Sequence, residues 1–321
     1  MMPAQIIGHA PILETLRRVK ERDRLGHAYL FAGPARVGKT AVARAFMAEV
    51  LGTETPLECH PDFILVERGR DAKTGKLHGS IVIEQIHALC NRLSMAAFMG
   101  GWKVCLIEGI DWLTADAANA LLKNLEEPHP KTLFIATTES LDAVLPTIKS
   151  RCEPVRFGRV ATAEIAASLV GRGLAQEEAV VLARLADGRP GRAVAYVENP
   201  DSRAVAAETI GALAALISAG PAERLAAVDK FLPPALPFIE ASERAADLVD
   251  RLSELLRDAL LVEAGQPDAV MHVGQRDRTA ALARRGSRHL AIALETALEA
   301  KRMLEENVAP RQSLDHLLLQ L

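Results

Sequence analysis

The chain has 321 residues, of which 49% are hydrophobic and 25% charged, a balance typical of a folded protein of about two or three domains. The formal net charge of -3 excludes a global basic field that would draw the chain to nucleic acid or to an anionic membrane. No apolar run is long enough to cross a bilayer and the first residues lack a basic leader, so we expect a cytoplasmic protein with no membrane partner.

The first half of the chain alternates short apolar runs with helical patterns. Runs that predict buried strands lie at residues 28–33, 63–67, 103–109, 132–138 and 154–158. Four of them are continuous enough for a parallel sheet that is covered on both faces. Helical spacing follows at 39–51, 83–96 and 114–127, with Thr114 placed as an N-cap and Pro128 as a stop. We therefore predict an α/β domain over residues 1–158.

Strand patterns end near residue 158. Three short helices are predicted at 162–173, 175–188 and 191–200, and because they are too small for a core of their own, we expect a helical lid over 159–202. Longer amphipathic helices follow, in one of which a single stripe is shared by Leu248, Leu252, Leu255 and Ala259. This pattern predicts an all-α bundle over 203–321.

A phosphate-binding pattern joins the first predicted strand to the helix that follows it. The segment "GPARVGKT", residues 33–40, has the strand-to-helix context that this motif requires. Its glycines let backbone N–H groups turn inward around phosphate oxygens, and the helix adds the positive end of its dipole. We predict that Lys39 reaches the β- and γ-phosphates and that Thr40 ligates Mg²⁺. The residues predicted to contact ATP or ADP here are Gly33, Arg36, Val37, Gly38, Lys39 and Thr40.

The strand "KVCLIEG" at 103–109 departs from the acid pattern of a hydrolysing ATPase. Its metal-holding position is Glu108, which is either a candidate Mg²⁺ ligand or simply a solvated charge at a strand end. The next residue is Gly109, which cannot accept a proton. Because a positioned general base contributes roughly 10²–10⁴ in rate, we expect very slow turnover. Asp111 is expected to lie past the strand and to turn toward the following helix, so it offers no substitute.

Several segments resemble the bacterial clamp-loader AAA+ subunits. They are "GHAYLFAGPARVGKT" (26–40), "HPDF" (60–63), "LTADAANALLKNLEEP" (113–128), "FIATTE" (134–139), "LPTIKSRC" (145–152) and "GRPGRAV" (188–194). The last third of the chain matches only in length and helical character. The resemblance implies a P-loop AAA+ domain with a parallel sheet, then a small helical lid and an all-α collar domain.

The resemblance also implies roles for two residues outside the loop. Arg151 corresponds to the arginine finger that is presented to the ATP of the adjacent subunit, and Thr138 falls at the sensor position next to the γ-phosphate. Such a finger is worth roughly 10³–10⁵ in rate in comparable systems. A lone arginine more often pairs only with a carboxylate at its own domain edge, and that alternative stays open.

The implied partners are other clamp-loader subunits of the γ/τ and δ types. Through the assembled complex they include the sliding clamp, the polymerase holoenzyme and primed DNA.

Two further departures from the family pattern concern zinc and the lid. The family often carries a four-cysteine zinc module before "HPDF", but this chain has only Cys59 there, and one thiol with His60 cannot complete a tetrahedral site, so we predict no zinc. Motor subunits place a sensing arginine where this chain has Gly191. Arg192 stands one residue on, and because one residue rotates a helical side chain by about 100°, it need not face the nucleotide.

These features favour a clamp-loader subunit that is at best a very weak ATPase and is not itself a polymerase. An active ATPase of the γ/τ type is the alternative, and Gly109 argues against it. A P-loop kinase or another phosphotransferase is disfavoured by the "SRC" segment and by the all-helical last third.

Overall fold

The computed structural model describes residues 6–70, 78–217, 219–306 and 308–320. Its internal contacts divide the chain into two compact units, one up to Val194 and one from Ala195. The helices predicted as a lid begin in the first unit together with the sheet. The domain boundaries that the sequence predicts after residues 158 and 202 stay predictions.

The first unit is built on a parallel sheet with the strand order β2-β3-β4-β1-β5. The strands are Ala28–Ala32 (β1), Phe63–Val66 (β2), Lys103–Ile107 (β3), Thr132–Thr138 (β4) and Glu153–Arg156 (β5). Each lies within about two residues of a predicted run, because a strand buried on both faces reads as a continuous apolar segment. The predicted α/β class with a parallel sheet is confirmed.

Helices from the first half of the chain cover both faces of this sheet. They are Ala10–Glu21 (α1), Lys39–Leu51 (α2), Ile83–Ser94 (α3), Ala115–Glu126 (α4) and Pro146–Lys149 (α5). Three more helices follow the last strand, namely Thr162–Gly171 (α6), Gln176–Leu185 (α7) and Pro190–Glu198 (α8). Alternate residues of β1 point to opposite sides, so Phe31 joins the core under α1 and α2 whereas Leu30 joins the core under α3 and α4.

The ends of α4 follow the predicted signals. The hydroxyl of Thr114 accepts a hydrogen bond from the N–H of Ala117 at 3.3 Å, which confirms it as the N-cap. The helix ends at Glu126, two residues before Pro128. A proline disfavours helical backbone in the residue before it, so the helix stops where the sequence predicts.

The second unit is all-helical. Its helices are Pro200–Ile217 (α9), Pro221–Phe231 (α10), Phe238–Glu263 (α11), Arg276–Ala283 (α12), Ser287–Glu305 (α13) and Pro310–Gln320 (α14). The predicted stripe on α11 is buried in one hydrophobic core shared with α9, α10, α13 and α14, which confirms a helical bundle. Within the described ranges, no helix is both long and apolar enough to span a membrane.

Candidate nucleotide-binding site

The predicted phosphate loop connects β1 to α2 at the carboxyl edge of the sheet. Its backbone takes left-handed conformations at Arg36 and at Gly38, the N-cap of α2. Strand β4 ends beside it, since Ala32 pairs with Thr138 and the N–H of Gly33 donates to the Thr138 carbonyl at 3.2 Å. The sequence-predicted loop residues and Thr138 therefore meet at one edge, where ligands of open α/β sheets bind.

Two carbonyls of the loop are fixed by groups from outside it. The His9 Nε2 atom lies 2.9 Å from the carbonyl oxygen of Val37, and the ring packs edge-on against Phe157. On the other side, the N–H of Gly191 donates to the carbonyl of Arg36 at 2.9 Å. Because these carbonyls are held from outside, the loop has a fixed shape before any ligand arrives.

Close packing at Gly191 explains why this chain has no arginine where motor subunits carry a sensing arginine. A Cβ atom at this position would lie only 2.9 Å from the carbonyl oxygen of Arg36, so the lid helix contacts the loop backbone directly. Any side chain here would push the two segments apart. Arg192, the next residue, is buried and has interactions of its own.

Lys39 is buried and donates to two carbonyls at the start of the loop. Its Nζ atom lies 2.6 Å from the Gly33 oxygen and 2.9 Å from the Pro34 oxygen. An ammonium group has three donors, so these two bonds direct the remaining one. Burial lowers the pKa of Lys39, while the nearby carboxylates of Glu139 and Asp111 act in the opposite direction.

Asp111 lies closer to this site than the sequence suggests. It follows the end of β3, as expected, within the short 3₁₀ turn Ile110–Trp112. Its Oδ1 atom is buried and has no hydrogen-bond partner among the residues that the structure describes, and its charge acts on Lys39. The expectation that Asp111 turns away from the site is therefore incomplete. Only a three-dimensional structure reveals this, because the motif assigns no role to the position three residues after Glu108.

Glu108, the candidate metal ligand, is paired within its own subunit. Its Oε1 atom lies 3.3 Å from Nη2 of Arg44, one turn past Thr40 on α2, and Arg44 also contacts Glu58. The Glu108 carboxylate thus already forms an ion pair with the guanidinium of Arg44. Glu108 would have to give up this contact before it could hold a metal ion.

Gly109 stands where a hydrolysing ATPase carries its glutamate, and the space beside it is filled. Its backbone is left-handed, with φ at 74°, and an added Cβ would overlap the six-membered ring of Trp112. On that ring lies the guanidinium of Arg68, 3.7 Å from the ring centroid. Conformation and packing therefore both exclude a side chain at this position.

Thr138 ends β4 and is almost fully buried. Its hydroxyl donates to the carbonyl of Ser140 at 2.9 Å and accepts from the N–H of Ser140 at 3.2 Å. This local turn fixes the hydroxyl beside the loop. Thr138 lies beside the start of the phosphate loop, and its sensor role stays a prediction.

Arg151 lies at the opposite edge of the sheet. It precedes β5, whose first residue, Glu153, pairs with Tyr29 near the start of β1, while the phosphate loop begins where β1 ends. Strands rise about 3.3 Å per residue, so the length of β1 places Arg151 roughly 15 Å from its own loop. Its side chain is 30% exposed and is paired with Glu126 of the same chain. Such a position cannot serve the chain's own nucleotide.

Within the described ranges, no group of three or more His, Cys, Asp or Glu side chains is arranged to hold a metal ion. Cys59 is exposed, and His60 uses its Nδ1 atom to accept from the N–H of Asp62. The absence of zinc stays a prediction.

Comparison with known proteins shows that the chain is similar to subunits of bacterial DNA polymerase III. Residues 8–161 match the family described as "DNA polymerase III, delta subunit". DNA polymerase III subunit delta' of Bacillus subtilis is 28% identical over 326 residues, which cover 97% of this chain and 95% of that protein. The corresponding Pseudomonas aeruginosa subunit is 35% identical over 146 residues, covering 41% of this chain and 43% of that protein.

In sequence, the similarity to tau and gamma subunits covers only part of those proteins. Subunit tau of Escherichia coli is 32% identical over 156 residues, which cover 46% of this chain but only 24% of that protein. Among solved structures, a gamma subunit-related protein of Thermotoga maritima covers 93% of this chain and 99% of its own, at 20% identity and a TM-score of 0.45.

Proposed function

We propose that this chain, which is similar along nearly its whole length to the δ′ subunit of DNA polymerase III from Bacillus subtilis, acts in DNA replication as a clamp-loader subunit of that type. We further propose that it binds nucleotide without hydrolysing it efficiently. In this role it helps to load a sliding clamp onto primed DNA. Its partners are clamp-loader subunits of the γ/τ and δ types, and it meets clamp, DNA and polymerase within that assembly.

The observation that carries this proposal is the contact between Gly109 and Trp112. A general base must lie within hydrogen-bond reach of the attacking water, and the residue after the strand-end acid supplies it in hydrolysing relatives. Here the backbone is left-handed and the space for a side chain is taken by the indole. Turnover is therefore expected to be slower by roughly 10²–10⁴ than with a positioned base.

Nucleotide binding is supported by the fixed shape of the loop. Lys39 uses two of its three N–H donors on loop carbonyls, and the N-terminus of α2 adds the positive end of a helix dipole. The proposed contacts are Gly33, Arg36, Val37, Gly38, Lys39 and Thr40, with Thr138 as the sensor. ATP and ADP are both compatible with this cradle.

Magnesium fits this site only in part. Thr40 opens α2 directly after Lys39 and would hold the ion, whereas Glu108 is engaged by Arg44. When bound, Mg²⁺ would neutralise charge between the phosphate oxygens. We therefore propose Thr40 as the Mg²⁺ ligand and Glu108 as a ligand only after release from Arg44.

Arg151 is proposed to act on the nucleotide of a neighbouring subunit. It stands at the edge of the sheet that is remote from its own loop, and it is partly exposed. A guanidinium presents a planar fork of donors that matches phosphate oxygens. From this edge it would stabilise the charge that develops on a neighbour's γ-phosphate.

The test is the ATPase rate of the reconstituted clamp loader with one variant of this subunit at a time. Arg151→Ala is expected to lower the DNA- and clamp-stimulated rate by at least roughly tenfold, a part of the effect known for arginine fingers. Lys39→Ala, which disables only this subunit's own loop, is expected to leave most of that rate. Lys123→Ala, at an exposed lysine on α4, serves as the control.

The opposite pattern would identify the alternative. If Lys39→Ala removes most of the ATPase and Arg151→Ala removes little, the chain is an active subunit of the γ/τ type, and the proposal fails.

A further inference from the structure

The guanidinium of Arg151 is held by three groups of its own subunit. Its Nη1 atom donates to the carbonyl of Thr147 at 2.7 Å and to the hydroxyl of Ser150 at 3.2 Å. Its Nη2 atom donates to the carboxylate of Glu126. Thr147 and Ser150 belong to the same short segment as Arg151, so among the described residues Glu126 supplies the one contact from a different element.

Glu126 projects from a rigid support. It is the last residue of α4, whose Leu121 and Leu125 are buried in the core of the first unit. The carbonyl of Leu125 is bonded to His27, at 3.0 Å from Nε2, directly before β1. The backbone that carries Glu126 is therefore fixed relative to the sheet, while its side chain is 49% exposed.

A carboxylate at this place does not stabilise the helix that carries it. The C-terminus of a helix bears partial negative charge, which disfavours a glutamate in the last turn. Arg151 supplies the compensating positive charge to Glu126. Glu126 therefore interacts unfavourably with the end of its own helix and favourably with Arg151.

These three contacts do not use all the N–H donors of the Arg151 guanidinium. An arginine has five N–H donors, and among the described residues three are used by Thr147, Ser150 and Glu126. The donors that remain are the Nε hydrogen and one hydrogen on Nη2.

We infer that Glu126 is a positioning residue for Arg151, holding its guanidinium at the subunit edge with two donors directed toward the nucleotide of the neighbouring subunit. This inference rests on the proposed function, because it gives Glu126 no role apart from Arg151. Arginine has a large rotamer entropy, and a side chain that is already ordered loses less of it when it meets the phosphate.

The size of the effect follows from the exposure of the pair. Exposed ion pairs contribute little, so loss of the carboxylate is expected to lower the neighbour's kcat by roughly two- to fivefold. The KM for ATP is expected to change less than kcat, because the contact acts on the transition state more than on nucleotide binding.

A double-mutant cycle in the reconstituted clamp loader tests this inference. Glu126→Gln keeps the shape of the side chain and removes its charge, and Glu127→Gln makes the same change one residue on as the matched control. Each is measured alone and together with Arg151→Ala, with kcat and KM of the stimulated ATPase as readouts. Thermal unfolding of the isolated chain checks that each variant is folded.

The expected result is a two- to fivefold fall in kcat with Glu126→Gln, no change with Glu127→Gln, and no further effect of Glu126→Gln when Arg151 is already alanine. Equal slowing with and without Arg151 would overturn the inference, and so would an unchanged or faster rate, since a faster rate means that Glu126 competes with the phosphate. If Arg151→Ala itself has no effect, the proposed finger fails, and the inference fails with it.

Discussion

Restoring a glutamate at position 109 is expected to destabilise the protein rather than to make it an efficient ATPase. The substitution Gly109→Glu places the residue type of a hydrolysing ATPase at the end of β3. In this chain it meets a left-handed backbone and the ring of Trp112. The new side chain can enter only if the indole moves, and the indole carries the stacked guanidinium of Arg68.

Two costs add to the expected loss of stability. A non-glycine residue in the left-handed conformation, here at φ 74°, costs about 1–2 kcal/mol. The added Cβ would lie 2.6 Å from Cδ2 of Trp112 and closer still to two other ring atoms, and overpacking of this kind costs about 1–3 kcal/mol. The sum of about 2–5 kcal/mol is a large fraction of the stability of a typical domain.

Urea unfolding of matched variants separates these costs. Gly52 has a similar φ of 65°, but an added Cβ there meets nothing within 4 Å, so Gly52→Ala is expected to show only the backbone cost. Gly109→Ala should cost about 1–3 kcal/mol more than Gly52→Ala. Measured against Trp112→Ala as the reference, Gly109→Ala should cost no more than Gly52→Ala, because the ring that the added Cβ would overlap is then absent.

The result that would refute this reasoning is specific. If Gly109→Glu unfolds within about 0.5 kcal/mol of the unmodified chain and hydrolyses ATP roughly 10²–10⁴ times faster, the indole does not block the position of the base.

Three further predictions concern other parts of the chain. Leu255→Ala in the core of the second unit should lower the free energy of unfolding by about 2–5 kcal/mol, measured in urea. Burial raises the pKa of the Cys152 thiol to about 11, so at about pH 8 roughly one molecule in a thousand carries the thiolate, and alkylation should be slow beside that of exposed Cys59 and should accelerate as the pH rises. Gly191→Ala should weaken nucleotide binding, measured by calorimetry, because its Cβ displaces the carbonyl of Arg36.

Continuous apolar patterns let the sequence predict the strands and helices closely. The segment 132–138 is entirely buried, and its predicted limits coincide with those of β4. Helix α2 likewise has the predicted limits 39–51, because a phosphate loop fixes its start and Gly52 its end. Residues that are close in sequence determine the limits of both elements, so the sequence alone predicts these limits.

Contacts between distant residues were not predictable in the same way. The pairs Arg44–Glu108 and Glu126–Arg151 join residues 64 and 25 positions apart, and no sequence period relates them. The alternative that Arg151 pairs with a carboxylate at its own edge was open from the sequence, and the structure identifies that carboxylate as Glu126. The sequence shows that Gly109 leaves the site without a general base. Only the packing shows that the ring of Trp112 occupies the space that a side chain at this position would need.

The central claim is that this subunit holds nucleotide without cleaving it, and the fate of bound ATP tests it most directly. The isolated chain is mixed in excess with radiolabelled ATP and Mg²⁺, and the bound nucleotide is separated and identified over time, with Lys39→Ala as the control for binding at the loop. The account predicts that bound nucleotide depends on Lys39 and remains ATP, with cleavage roughly 10²–10⁴ times slower than in a hydrolysing clamp-loader subunit measured in parallel. Rapid conversion of the bound ATP to ADP, at the rate of that subunit, would contradict it.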